Sequence, residues 1–452
     1  MENNDRLNQS LENLDYALVN DDIGVFRQDF LDLHPYDQAM YFMEQIESYR
    51  MKIYAYLSPL EVAGLMEHIE LDDTTSFFTE MDPRFASAVL AEMATDDAVD
   101  ILNEMEKDKV ASFLTIMDKQ AAEEIKQLLH YEEKTAGSIM TTEFVAIDKT
   151  KTVQETMLQL KKEAPEAETI YYLYVVDEDK RLAGVISLRD LIIADDHAII
   201  GDLMSEKVVY VSVGKDQEDV AQMIRDYDFL ALPVVDFQNH LLGIITVDDI
   251  LDVMEEEASD DYSKFAAVSD VDRPDENAFI AAKKRLPWLI ILLFLGMLTA
   301  SLISQFEDTL QKVAVLAIFI PVIAGMAGNT GTQALAVAVR GLATGEYGKG
   351  GKLKLILREG ATGLITGSVS GIVIALVIFL WKDQLFLGLL VGFSIMVTLI
   401  VATLTGSLIP ILMDRLKIDP AVASGPFITT INDIISVLIY FGMATLFMNL
   451  LI

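Results

Sequence analysis

Five apolar runs follow Arg285, at about 286–304, 313–339, 359–381, 385–413 and 421–451. Each has close to the ~20 residues that an α-helix needs to cross the hydrocarbon core of a bilayer. Backbone polar groups inside lipid must be satisfied within the protein, so this region can only fold as a helical bundle. The flanking charges orient it. With the N-terminus inside, the cytosolic segments carry Lys283, Lys284, Arg285, Arg340, Lys349, Lys352, Lys354, Arg358, Arg415 and Lys417, and the two outer loops between spans carry only Lys312 and Lys382. That asymmetry satisfies the positive-inside rule. It predicts a bacterial-type plasma-membrane protein with multiple passes, cytosolic N-terminal domains and an extracellular C-terminus.

The front of the chain is strongly acidic. Of 34 basic and 70 acidic residues, nine and eight lie after Arg285, which leaves 25 against 62 in residues 1–285. Such a front repels the phosphates of nucleic acid and suits solubility or multivalent cations. With no cysteine, disulfides and thiolate metal sites are excluded. The opening MENNDRLNQS is too polar for a signal peptide.

Two repeats organise this front. From residue 57 to 128 the period is 12, with units beginning at Leu57, Ile69, Met81, Met93, Met105 and Met117. Apolar residues recur at the first, sixth, ninth and tenth places, which predicts a short helix plus turn per unit and a stacked superhelix. The methionines read as core filler. Further on, YLYVVDEDKRLAGVISLRDL (172–191) realigns onto ALPVVDFQNHLLGIITVDDI (231–250) at an offset of 59, with leads AGSIMTTEFVAI (136–147) and IGDLMSEKVVYV (200–211). This resembles a tandem pair of CBS domains. The resemblance implies a possible adenine-nucleotide contact, ATP or a relative, at Ser187 and Asp190 and at Thr246 and Asp249.

Three stretches carry chemistry. Asp433 lies in FITTINDIISVLIYFG (427–442), mid-span, with no basic residue nearby. A carboxylate there costs several kcal/mol and faces an interior cavity as a rule. PVIAGMAGNTGTQ (321–333) puts three glycines and a proline inside a span. It is expected to free backbone carbonyls and amides for a cation pathway. DDILDVMEEEASDD (248–261) has eight acids in fourteen residues and no base. Like charges one turn apart oppose a helix, and Mg²⁺ or Ca²⁺ would screen them. The stripe Gly360, Gly363, Gly367 and Gly371 reads as a close helix contact. An enzyme is disfavoured, because all five histidines precede the spans and no intramembrane H-E-x-x-H exists.

Taken together, these motifs and DPAVASGPFITTINDIISVLIYF (419–441) and DQEDVAQMIRDYDFLALPVVD (216–236) resemble the MgtE family of magnesium channels nearly end to end. The resemblance implies a multidomain membrane protein. Its parts are an all-α superhelical N domain (1–130), an α+β tandem CBS pair (131–198 and 199–258), a connecting helix (259–283) and a five-helix transmembrane domain (284–452). It implies a homodimer in lipid that imports Mg²⁺ selectively. Two copies of Asp433 would hold a hydrated ion, with Gly325, Gly328 and Asn329 lining the pore. It further implies closure by cytosolic Mg²⁺ bound at Asp216, Glu218, Asp228, Asp249, Asp252, Glu257, Asp260, Asp261 and Asp419, with Asp96 or Asp97 contributing. A carrier or channel for another divalent ion, such as Co²⁺ or Ca²⁺, is the alternative.

Overall fold

In the computed structural model, residues 2–269, 277–344 and 351–451 are described, and the chain divides into two units, Met1–Met254 and Glu255–Ile452. The first unit opens with short helices, ten among the described residues, from Glu2–Val19 to Lys119–Leu128. Their spacing explains the 12-residue period. The second residue of each repeat unit (Ser58, Glu70, Asp82, Ala94, Glu106, Asp118) is a helix N-cap. The first and sixth places are therefore N′ and N4, the two positions that a hydrophobic staple joins. Leu57, Ile69, Met81, Met93, Met105 and Met117 are all buried. Each fully buried side chain of this size contributes ~1.5–3 kcal/mol. Ser58 adds a capping box with Glu61, and Asp82 accepts from the Arg84 amide at 2.9 Å. Alternate helices then pack, for example Pro59–Met66 on Pro83–Leu90 and that one on Lys107–Ile116.

Two three-stranded sheets follow, β1 (Ala146–Asp148), β2 (Tyr172–Val176), β3 (Leu182–Ser187) and β4 (Val211–Ser212), β5 (Ala231–Val235), β6 (Leu241–Thr246). In both, the first strand is parallel to the second and the third is antiparallel to it. Tyr172 opposes Ser187 and Ala231 opposes Thr246, and a register shift falls at Val175/Val176 and again at Val234/Val235. The offset of 59 thus survives down to the bulge. The first parts of the two leads, however, are exchanged. Thr141 bridges Ile244 in the second sheet and Ser205 bridges Val185 in the first. A Cβ on Gly243 would lie 2.6 Å from the Thr141 carbonyl oxygen, and Gly184 makes the same room for Met204.

A bridging helix, Val247–Ala266, runs from the second sheet across the expected boundary at 258/259. It stops where Ala267 takes φ 57°. The connecting helix expected over 259–283 is therefore two helix ends, since the next helix begins at Ala278. Residues 270–276 of that expectation lie outside the described residues.

Among its described residues, the second unit contains five helices long and apolar enough to cross a membrane: Ala278–Ser304, Ala314–Ala343, Gly351–Lys382, Leu385–Arg415 and Gly425–Leu446. The third and fourth pack along the glycine stripe, where a Cβ on Gly367 would sit 2.8 Å from the Met396 carbonyl oxygen, and Gly371 faces Gly392 backbone to backbone. The second packs on the fourth and fifth. Tyr440 ties the bundle by donating its hydroxyl to the Leu316 carbonyl at 3.0 Å.

Candidate functional site

Asp433 lies within about one turn of the middle of the fifth span, Gly425–Leu446. That helix starts at Gly425, with Ser424 as N-cap and Pro426 in its first turn, a place where proline's missing N–H costs nothing. Asp433 is half-buried and shares a face with Thr429, one turn below. Thr429 is the seat for Gly328 of the second span: a Cβ there would come 2.7 Å from Thr429 Cγ2. Thr332 donates to the Gly328 carbonyl at 3.0 Å, and its hydroxyl lies 3.3 Å from that of Thr429.

The expectation of freed backbone groups is corrected. PVIAGMAGNTGTQ lies in an unbroken α-helix, Ile320–Ala343. Helical hydrogen bonds are the cheapest satisfaction in lipid, and Gly328 and Gly331 serve close packing instead. Gly325 and Asn329, four residues apart, form an exposed stripe, whereas Gly328 is buried. Gly331 packs under the Asn432 side chain. Asn432 was not picked out from sequence. It is only 1 % exposed, and neither atom of its amide has a hydrogen-bond partner.

The expected acidic residues fall into separate groups. Asp216, Glu218, Asp228 and Asp252 are exposed. Asp216 caps the helix Gln217–Tyr227 through the Glu218 amide, and Asp228 ends it in the left-handed conformation. Asp249 is half-buried near Asp96 and Asp97. Burial raises the Asp96 carboxyl well above the usual range, with the charges of Asp97 and Asp249 next. Its Oδ1 has no hydrogen-bond partner. Burial, then Glu67 and Asp249, pushes Asp97 up to about 8. Glu168 is raised to about 7 by burial, then Asp249, and burial raises Glu143. Glu67, Glu143 and Glu168 join this junction only through the fold, without a local signature.

Within the second unit, Asp261 approaches Asp419, with Glu257 and Asp260 beside Asp261. Burial raises Asp261, with Asp419 the next cause and Lys264 opposing. Lys264 Nζ lies 2.7 Å from Asp419 and 3.8 Å from Asp260. Among the described residues of one chain, no three His, Asp or Glu side chains converge to hold a metal ion.

A carboxyl with a raised pKa binds its proton more tightly in the folded state, so its junction loses stability as pH climbs from the unfolded value through the folded one. For the full chain in detergent with chelator, the melting temperature of the acidic junction is expected to fall between about pH 5 and pH 8. Mg²⁺ should restore more of it at the upper pH. A flat profile, with Mg²⁺ equally effective at both ends, would rule out this junction as the source.

At the sheets, Ser187 donates to Asp190 at 2.6 Å and accepts from its amide. Thr246 likewise donates its hydroxyl to the Asp249 carboxylate. A cavity of about 110 Å³ between the repeats is lined by residues including Tyr172, Tyr174, Lys207, Phe229 and Pro233. The four Ser/Thr-x-x-Asp residues are not among its lining.

Comparison with known proteins gives three matches along the chain: a divalent cation transporter family, MgtE, over residues 320–443, the MgtE intracellular N domain over 33–134, and CBS domains over 136–197 and 200–256. A protein of Enterococcus faecalis named magnesium transporter MgtE is 56% identical over 96% of each chain. The crystal structure of the soluble part of a magnesium transporter superposes with a TM-score of 0.54 at 50% identity, covering 56% of this chain and 99% of that one. The cytosolic domain of the Mg²⁺ channel MgtE in complex with ATP gives 0.52 at 37%, covering 54% and 99%. With superhelical N domain, paired sheets and five apolar helices each in the matched order, the chain belongs to the MgtE family.

Proposed function

We propose that this chain is a Mg²⁺-selective channel that imports Mg²⁺ across the plasma membrane and is shut by Mg²⁺ on its cytosolic side. The observation that carries the reading is Asp433, a half-buried carboxylate near the middle of a span whose neighbours Thr429 and Asn432 pack on the second span. Mg²⁺ sheds its waters reluctantly and is held through one or two carboxylates. In a homodimer, one Asp433 from each copy supplies that pair around a hydrated ion, and Asn329 and Gly325 line the approach. An all-oxygen donor set favours hard cations over Co²⁺.

The cytosolic acids act as the sensor. Without a dication, the Asp96, Asp97, Asp249 and Glu168 junction and the Glu257, Asp260, Asp261 and Asp419 group repel themselves. Mg²⁺ screens both, along with Asp216, Glu218, Asp228 and Asp252, and draws the bridging helix toward closure. The relative whose cytosolic domain was crystallised with ATP supports an adenine nucleotide on the corresponding N-terminal domains of this chain. The positive-inside pattern supports cytosolic N-terminal domains and an outer C-terminus.

Patch recordings with Mg²⁺ stepped on the cytosolic face test this. Current that shuts through the millimolar range is the expected result. Current indifferent to cytosolic Mg²⁺ would leave a pore without a sensor, and flux into vesicles with no current would make the protein a carrier.

A further inference from the structure

The bridging helix does not end in free space. Its last residues touch the loop and helices that frame the cytosolic end of the candidate pore. Lys264 Nζ lies 2.7 Å from Asp419 Oδ2. Asp419 is itself fixed, because its other oxygen caps the turn Pro420–Val422 by accepting from the Ala421 amide at 2.8 Å. One residue on, Phe265 packs against an apolar cluster of Leu335 and Val339 from the second span, Ala421 and Ala423 from the loop, and Ile428 from the fifth span. The Phe265 carbonyl comes within 3.5 Å of where a Cβ on Gly425 would stand, at the first residue of the Asp433 helix. The helix then breaks at Ala267. A salt bridge and an aromatic seat, on adjacent residues, thus join this helix end to both spans that carry the candidate pore residues.

We propose that Lys264 and Phe265 form a two-point latch that fastens the bridging helix to the pore mouth and sets the Mg²⁺ level at which the channel shuts. The proposal rests on the gating reading above. Lys264 and Phe265 are positioning residues: neither touches the ion, and both act through the placement of Asp419 and the start of the fifth span. The ion pair supplies direction and the ring supplies most of the adhesion. A half-exposed ion pair contributes little, whereas a packed aromatic contributes several-fold more.

The test uses the full chain in membranes. Lys264→Met is expected to raise the half-closing cytosolic Mg²⁺ about three- to fivefold, with Lys264→Arg restoring it. Phe265→Ala should raise it roughly tenfold, with Phe265→Leu restoring most of it. Current at low cytosolic Mg²⁺ should be unchanged in all four, which general misfolding would not allow. An unmoved half-closing concentration in both Lys264→Met and Phe265→Ala overturns the latch. So does a lower one in Lys264→Met, which would mean that the ammonium competes with Mg²⁺ for Asp419. The contact is tested separately. As the chain has no cysteine, the double variant Lys264→Cys/Asp419→Cys should be bridged by a short bifunctional thiol reagent that spans the length of the two replaced side chains, and failure to cross-link removes the contact and the latch with it. A wild type that ignores cytosolic Mg²⁺ but whose double variant cross-links would keep the contact, refute the gating reading and strip the latch of its role.

Discussion

Asp433→Ala is expected to cut selective Mg²⁺ uptake roughly 10- to 100-fold while leaving the protein as stable as before, or more so. The two effects have one cause. A carboxylate at this depth costs a few kcal/mol to keep, and replacing it with a methyl group relieves that cost. Among the described residues its side chain makes no hydrogen bond or ion pair, and only its backbone carbonyl is used, accepting from Ser436 at 2.8 Å. Nothing in the packing of the fifth span depends on the charge, so the loss must appear in the ion. Uptake measured in Mg²⁺-starved cells, beside a melting curve of the purified variant, checks both halves. Near-normal uptake would end the assignment of Asp433. A lower melting temperature with lost uptake would make the residue a structural one.

The glycine stripe of the third span gives the second large effect, as a contrast between two positions. Gly367→Val should lower stability on the order of 3 kcal/mol, because its side chain meets the backbone of Met396, and overpacking that side chains cannot relieve forces the helices apart. Gly360→Ala should be neutral or gain up to ~1 kcal/mol of helix propensity, since a Cβ there meets only Leu404 Cδ2 at 3.5 Å. Both residues lie on the same run and look alike in the sequence. Thermal melting in one detergent distinguishes them. Equal melting temperatures would show that the third and fourth spans do not depend on this contact.

How much of this was legible beforehand depends on whether the signal is local. The spans were, since hydropathy reports the hydrocarbon they cross. Their helices run longer where charged ends leave it, as from Gly351 rather than 359 and from Ala278 rather than 286. The 12-residue period was legible because capping and stapling recur in each unit, and the paired sheets because two copies could be aligned. Asp433 stood out by its apolar surroundings. The role of Gly328 and Gly331 did not, since a glycine that breaks a helix and one that lets another helix approach are written with the same letter. Lys264 and Asp419 are 155 residues apart, and Glu67 and Glu168 reach Asp97 only after the N-terminal helices and the sheets have docked. Pairings of that kind belong to the tertiary structure.

The crossed leads of the two sheets bear on how such a chain could have arisen and how it can be cut. Thr141 belongs by sequence to the first repeat and by hydrogen bonding to the second, and Ser205 is its mirror. Neither copy is then a self-contained module that recombination could shuffle alone: a single excised repeat would keep its own sheet and lose the strand that covers it. Duplication, deletion or transplantation should preserve these halves only as a couple, and a truncation boundary drawn between them near residue 199 should yield two insoluble fragments rather than two small domains.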